Sequence, residues 1–150
     1  MNNIKVAAVQ MVSGVLPVDN IKTMRRLVAE AAKQGAQWVL LPEYWPIMGK
    51  RDTDKLAVAE TFGEGELQTA MSLMAREYGV VLFGGTIPLK SDLADKVLNT
   101  MLVYGRDGEL LGRYDKMHLF GFLGLGERYA KSDKIDEGHI RDKFVVEGDG

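Results

Sequence analysis

The chain has 150 residues, 46% of them hydrophobic and 27% charged, with a formal net charge of -2. That is enough chain and enough apolar content for one globular domain with a core, and it carries no basic excess that would favour nucleic acid or an anionic membrane surface. The cysteine count is zero, which excludes disulfides, thiolate metal sites and a thiol nucleophile within these residues.

The N-terminal "IKVAAVQMV" (4–12) is short, apolar and followed by "SG", and it predicts a strand. Lys5 and Gln10 interrupt it, it is too short to span a membrane, and no signal-peptide pattern precedes it. A cytoplasmic location is the expectation. Asp19 is placed to cap a helix in which Ile21, Met24, Leu27, Val28, Ala31 and Ala32 recur at helical spacing, with Gly35 at its end. "AQWVLL" (36–41) reads as a buried strand, so the first forty residues predict a βαβ unit with a parallel pair.

Residues 42–65 form a long connection. A second helix is expected near 66–78, with Leu67, Ala70, Met71, Met74 and Ala75 on one face and Gly79 as its stop. "VVLFGG" (80–85) is the next strand. "VLNTMLVYG" (97–105) and "ELLGRYDK" (109–116) flank "RDG" and predict an antiparallel hairpin. Beyond it a short helix is expected near 126–134, and "KFVVEGDG" (143–150) reads as a strand entering a turn. That last strand, entering a turn with no partner after it, gives the expectation of an incomplete domain.

Several motifs fail. "GFLGLG" (121–126) is not the dinucleotide fingerprint and does not lie between a strand and a helix of a βαβ unit. His118 and His139 stand 21 positions apart with no ligand cluster around either, so no metal site is expected. What survives is a set of polar residues just past strand ends, where α/β sheets carry their ligand crevices. Glu43 follows a buried strand and Pro42 in "VLLPEYWP". Lys116 ends the hairpin in "RYDKMHLF", and His118, Glu127 and Lys131 lie in the polar stretch after it. Taken singly, Glu43 reads equally as a solvated loop acid, Lys116 as a surface lysine, His118 as a structural histidine, and Tyr44 and Trp45 as packing.

Taken in order, "VAAVQM", "LLPEYW" and "NTMLVYGRDGELLGRYDKMHLF" resemble the nitrilase, or carbon–nitrogen hydrolase, superfamily, and most of all its omega-amidase-like and deaminated-glutathione amidase-like branch. The resemblance implies an α/β fold, an α-β-β-α sandwich of which this chain would be an N-terminal portion. It implies a Glu–Lys–Cys triad, no cofactor, and a small carboxamide substrate such as an omega-amide of a dicarboxylate. Intact relatives are expected to be homodimers. Carried over by motif, Glu43 is the general base and Lys116 the oxyanion-stabilising lysine. A thiol of pKa about 8.5 needs such a base at neutral pH, and a lysine offers positive charge where an alkoxide develops. Pro42, Tyr44 and Trp45 would keep water from the carboxylate.

Two departures qualify the resemblance. The nucleophile cysteine is absent, because the family's cysteine block would follow the strand near Val146. The family also carries a second, substrate-positioning glutamate where this chain has Lys131, and Glu127 lies four positions earlier, one turn away if the segment is helical. The readings left open are an amidase that these residues alone cannot complete, a non-catalytic relative keeping the pocket for binding or hetero-association, and an unrelated α/β ligand binder. Convergence of Glu43 and Lys116 on one pocket separates the first two from the third.

Overall fold

In the computed structural model the described residues are 3–118, 121–124, 127–130, 134–136 and 138. The elements are β1 (Val6–Ala8), α1 (Pro17–Lys33), β2 (Trp38–Leu40), α2 (Asp54–Ala57), α3 (Glu66–Tyr78), β3 (Val81–Phe83), β4 (Ile87–Lys90), β5 (Val97–Tyr104), β6 (Leu110–Asp115), β7 (Gly121–Gly124), β8 (Glu127–Ala130) and β9 (Ile135–Asp136). β1, β2 and β3 pair in parallel, and β3 then pairs antiparallel with the Val103–Tyr104 end of β5. β4 extends the same edge of β5, while β6 and β9 pair on its other edge. This is a mixed α/β sheet built around β5.

The helices cover one face. Register aligns Ala7, Val39, Leu82 and Tyr104 across four strands, and this row packs against Met24 and Val28 of α1 and Leu67, Met71, Met74 and Ala75 of α3. Those are the residues whose spacing predicts the two helices. The opposite row contains Val6, Trp38 and Val81, then Ala8, Leu40 and Phe83. There the Trp38 and Phe83 rings meet at 5.4 Å, while Val6, Leu40 and Tyr114 are exposed.

Three features differ from expectation. Asp19 is not the cap of α1: the helix begins at Pro17, whose fixed φ suits the first helical position, and Asp19 lies in the first turn where its charge complements the helix dipole. β4 was not expected, because Pro88 removes a ladder donor. It is tolerated where β4 leaves the main ladder, with only the Glu60–Leu89 bridge beyond it. The helix expected near 126–134 is not formed: Glu127–Ala130 is a strand, paired with Gly121–Gly124 across a two-residue link. Glycines at 121, 124 and 126 disfavour helix, and the backbone register sets Phe122 opposite Tyr129. The strand expected over 143–150 lies outside the described residues. The stop of α3 is as expected, with Gly79 in the left-handed region at φ 61° and its N–H donating to Ala75 O.

The connection after β2 is tied to α1 and β1 rather than loose. The buried Asn20 amide donates to Gly14 O and Pro46 O at 2.9 and 2.8 Å and accepts from Gly14 N. Ser13 Oγ donates to Trp45 O at 2.9 Å. Trp45 is fully buried, its indole N–H donating to Gly84 O at 2.9 Å. No helix among the described residues is long and apolar enough to cross a membrane.

Burial pushes the Tyr104 phenol from its ordinary value of 10.0 up to about 12, with the nearby Glu60 charge adding to the effect. The folded state thus holds the proton more tightly than the unfolded chain does. Its contribution is complete below pH 10.0 and is lost as pH rises toward about 12. We expect the urea midpoint to fall across that window by the equivalent of roughly 2 kcal/mol, and Tyr104→Phe to remove part of the fall. An unchanged pH profile in the variant would refute the assignment.

Candidate functional site

Parallel pairing of β2 with β3 brings the chain past Leu40 to the same end of the sheet as Gly84 and Gly85. Leu41 N–H donates to Phe83 O at 2.9 Å, which carries the ladder one residue beyond β2. Pro42 then ends it. Gly85 lies beneath this exit at φ 56°, and a Cβ there would run into the Pro42 carbonyl and lie 2.7 Å from Leu41 O. Only glycine allows both that φ and that approach.

Glu43 emerges from this exit and meets β5 and the end of β6. Lys116 Nζ donates to Glu43 Oε1 at 2.9 Å, and Asn99 Nδ2 donates to the same oxygen at 2.7 Å. Lys116 is held there by its own backbone N–H, which donates to Asn99 O at 2.9 Å. Residues 73 positions apart in sequence therefore meet because β6 returns beside β5 in register. The Glu43 and Lys116 side chains are 46% and 30% exposed. An ion pair that wet contributes about 1 kcal/mol or less, so it is a poor fold stabiliser. A carboxylate held by two donors, with a fixed ammonium beside it, is suited to accepting a proton and stabilising a developing oxyanion.

Asn99 is the residue that sequence reasoning missed. It is 1% exposed, and its Oδ1 has no hydrogen-bond partner among the described residues. A buried orphan acceptor costs about 1–3 kcal/mol. A signal was present: "VLNTMLVY" places an amide in a largely apolar strand.

The other expected residues divide. His118 is exposed and lines, with Glu43, Lys116, Thr86, Met101 and Tyr114, a largely apolar cavity of about 530 Å³. Tyr44 is buried and faces away from that cavity into a second one, of about 370 Å³, which Glu43 also lines. Tyr44 has φ 51°, a conformation that costs a non-glycine residue about 1–2 kcal/mol. It is held by its N–H, which donates to Thr86 Oγ1 at 2.9 Å. Burial raises the Tyr44 phenol well above its ordinary value, and the Glu43 and Asp52 charges raise it further, so it stays protonated. Glu127 lies in β8, so the one-turn helical relation to position 131 does not hold. Lys131 lies outside the described residues. Pro42, Tyr44 and Trp45 do not seal the carboxylate from water: Trp45 is committed to the core and nearly half of the Glu43 side chain is exposed. Among the described residues no group of three or more His, Cys, Asp or Glu is arranged to hold a metal ion.

Comparison with known proteins gives one consistent result. The carbon–nitrogen hydrolase family model matches residues 5–144. The omega-amidase NIT2-A of Xenopus laevis is 33% identical over 152 residues, covering 97% of this chain and 51% of that protein. The human omega-amidase NIT2 is 36% identical over 122 residues, covering 80% of this chain and 42% of that protein. Among solved structures, the C. elegans NitFhit protein superimposes with a TM-score of 0.78 at 24% identity, over 89% of this chain and 33% of that one. An amidase from Nesterenkonia sp. AN1, with acrylamide added at its active-site cysteine, gives 0.79 at 20% identity over 97% and 54%. The chain spans about half the length of the curated relatives it matches.

Two substitutions test how the site is built. Asn99→Leu removes a buried orphan acceptor and adds apolar burial, so stability is expected to stay within about 1 kcal/mol of the parent or to rise. A loss above about 2 kcal/mol in urea unfolding would mark Asn99 as a structural residue instead. Gly85→Ala is expected to cost roughly 2 kcal/mol or more. It should also shift the side-chain amide NMR signals of Asn99 as Glu43 moves, and an unchanged spectrum would refute the positioning role.

Proposed function

Because the chain belongs to the carbon–nitrogen hydrolase family, we propose that it supplies the general base and the oxyanion lysine of an amidase acting on small carboxamides, in particular omega-amides of dicarboxylates. The observation that carries the reading is the convergence of Lys116 and Asn99 on one oxygen of Glu43 at the mouth of a cavity. In this reading Glu43 takes the proton from a thiol, and the thiolate attacks the amide carbon. Lys116 then faces the oxyanion of the tetrahedral intermediate, Glu43 passes its proton to the departing nitrogen so that ammonia leaves, and water hydrolyses the thioester to the acid and the free thiol. Omega-amidases such as those of Xenopus laevis and human support the substrate class, and the Nesterenkonia amidase supports a cysteine as nucleophile.

These 150 residues contain no cysteine, so the thiol must come from outside them. Ser13 is no substitute, since its hydroxyl is spent on the Trp45 carbonyl. A second reading, a pocket kept for binding without catalysis, is favoured by the same absence of a thiol beside an intact Glu43–Lys116–Asn99 cluster. A cytoplasmic location and homodimerisation belong to the same proposal, on the strength of the resemblance alone.

Two measurements test the amidase reading. The 150-residue chain is expected to release no ammonia from succinamate above the buffer blank. Release that vanishes in Glu43→Gln would mean that another nucleophile of this chain replaces the thiol. Titration with succinamate is expected to shift the backbone and side-chain NMR signals of Asn99 and Lys116, and Lys116→Met to weaken that binding about tenfold. No shift at either residue would sink the reading.

A further inference from the structure

Glu43 lines two cavities, and only one of them contains Lys116. The other is walled by the connection after β2, through Met48, Gly49, Lys50, Arg51, Asp52 and Lys55. Three cations face it against two acids, Glu43 and Asp52, in a chain whose net charge is -2. The Lys55 side chain is only 12% exposed. Its ammonium lies 4.5 Å from the centroid of the Tyr44 ring and a long 3.4 Å from Asp52 Oδ1. A lysine that is nearly buried, over an aromatic face and loosely paired, keeps capacity for a further anionic partner.

The wall is organised rather than random coil. One oxygen of Asp54 accepts the backbone N–H groups of Lys50 and Arg51 at 2.9 and 3.1 Å, and its other oxygen lies 3.4 Å from Arg51 Nε. Those bonds hold the Asp54 carboxyl below its ordinary value. Gly49 lets this happen, because a Cβ there would lie 2.7 Å from Asp54 Cβ. The turn that presents Lys50 and Arg51 is thus set by a carboxylate packed against a glycine.

We propose that this cavity binds the free carboxylate of a substrate whose amide lies at Glu43 and Lys116, with Lys55 as its main partner and Lys50 and Arg51 at the rim. The inference rests on the amidase reading and assigns its specificity for omega-monoamides of dicarboxylic acids to residues 48–55. Glu43 lines both cavities, so in this proposal the substrate lies across its carboxylate.

The test compares succinamate with butyramide, an uncharged amide of the same length, by NMR titration of the full 150-residue chain. Both are expected to shift Asn99 and Lys116, and only succinamate to shift Lys50 and Lys55. Succinamate should bind about tenfold more tightly. Lys55→Met should reduce its affinity to that of butyramide while leaving butyramide unchanged, and Lys55→Arg should restore most of the difference. Should Lys55→Met not fold, the exposed pair Lys50→Gln with Arg51→Gln gives the same comparison with a smaller loss. Equal binding of the two amides to the parent chain, or equal weakening of both by Lys55→Met, would overturn the inference and leave the amidase reading standing. Silence at Asn99 and Lys116 with both amides would remove the amidase reading, and this inference with it.

Discussion

The site depends on strand register. β2 pairs with β3, β3 with one end of β5, and β6 with β5, and each pairing is fixed by which row of side chains must face the helices. A slip of one residue in any pair would turn Val39, Leu82 or Leu102 out of the core and turn their neighbours in. The same register sets where Glu43 leaves the sheet and where Asn99 and Lys116 stand. The apolar core therefore specifies the position of a polar cluster that it does not touch.

That cluster is costly to the fold. Asn99 buries an acceptor with no partner among the described residues, Tyr44 occupies a left-handed conformation, and the Glu43–Lys116 pair is too exposed to stabilise much. Each is a local rule broken close to the others, whereas both long helices bury the apolar faces that their spacing predicts. Concentrated exceptions of this kind are a physical mark of a functional region.

The sequence made some of this legible. Helical periodicity identified both long helices and their buried faces, because the apolar stripe is local and extends over several turns. Asp107-Gly108 identified the hairpin, and the strand-end placement of Glu43 and Lys116 raised both as candidates. Other features depend on contacts that no local pattern encodes. β4 hides behind Pro88, which signals against a strand unless the sheet's edges are known. Glu127–Ala130 pairs with Gly121–Gly124 across a two-residue link, a contact that no local pattern in this glycine-rich, charged stretch announces. Asn99 is one amide in an apolar strand, and its role follows only once Glu43 is known to reach it across 56 positions. Tyr44 and Trp45 look equivalent in "PEYWP", yet one is committed to the core and the other walls a cavity, because the positive φ at Tyr44 sends the two rings apart.

Charge placement links the two cavities through a single residue. Glu43 carries the negative charge that Lys116 and Asn99 hold on one side, and with Asp52 it is one of the two acids lining the cavity of the 48–55 turn on the other. Were Glu43 neutralised, Lys116 would lose the partner that holds it in place, and the second cavity would lose one of its two acids and gain net positive charge. Protonation of Glu43 during a proton transfer would have the same electrostatic effect for as long as it lasted. In the proposed mechanism, the moment at which Glu43 holds the proton is therefore the moment at which the neighbouring cavity most strongly favours an anion. A substrate carrying a carboxylate would be gripped hardest while its amide carbon is under attack, which turns a binding contact into one that favours the transition state.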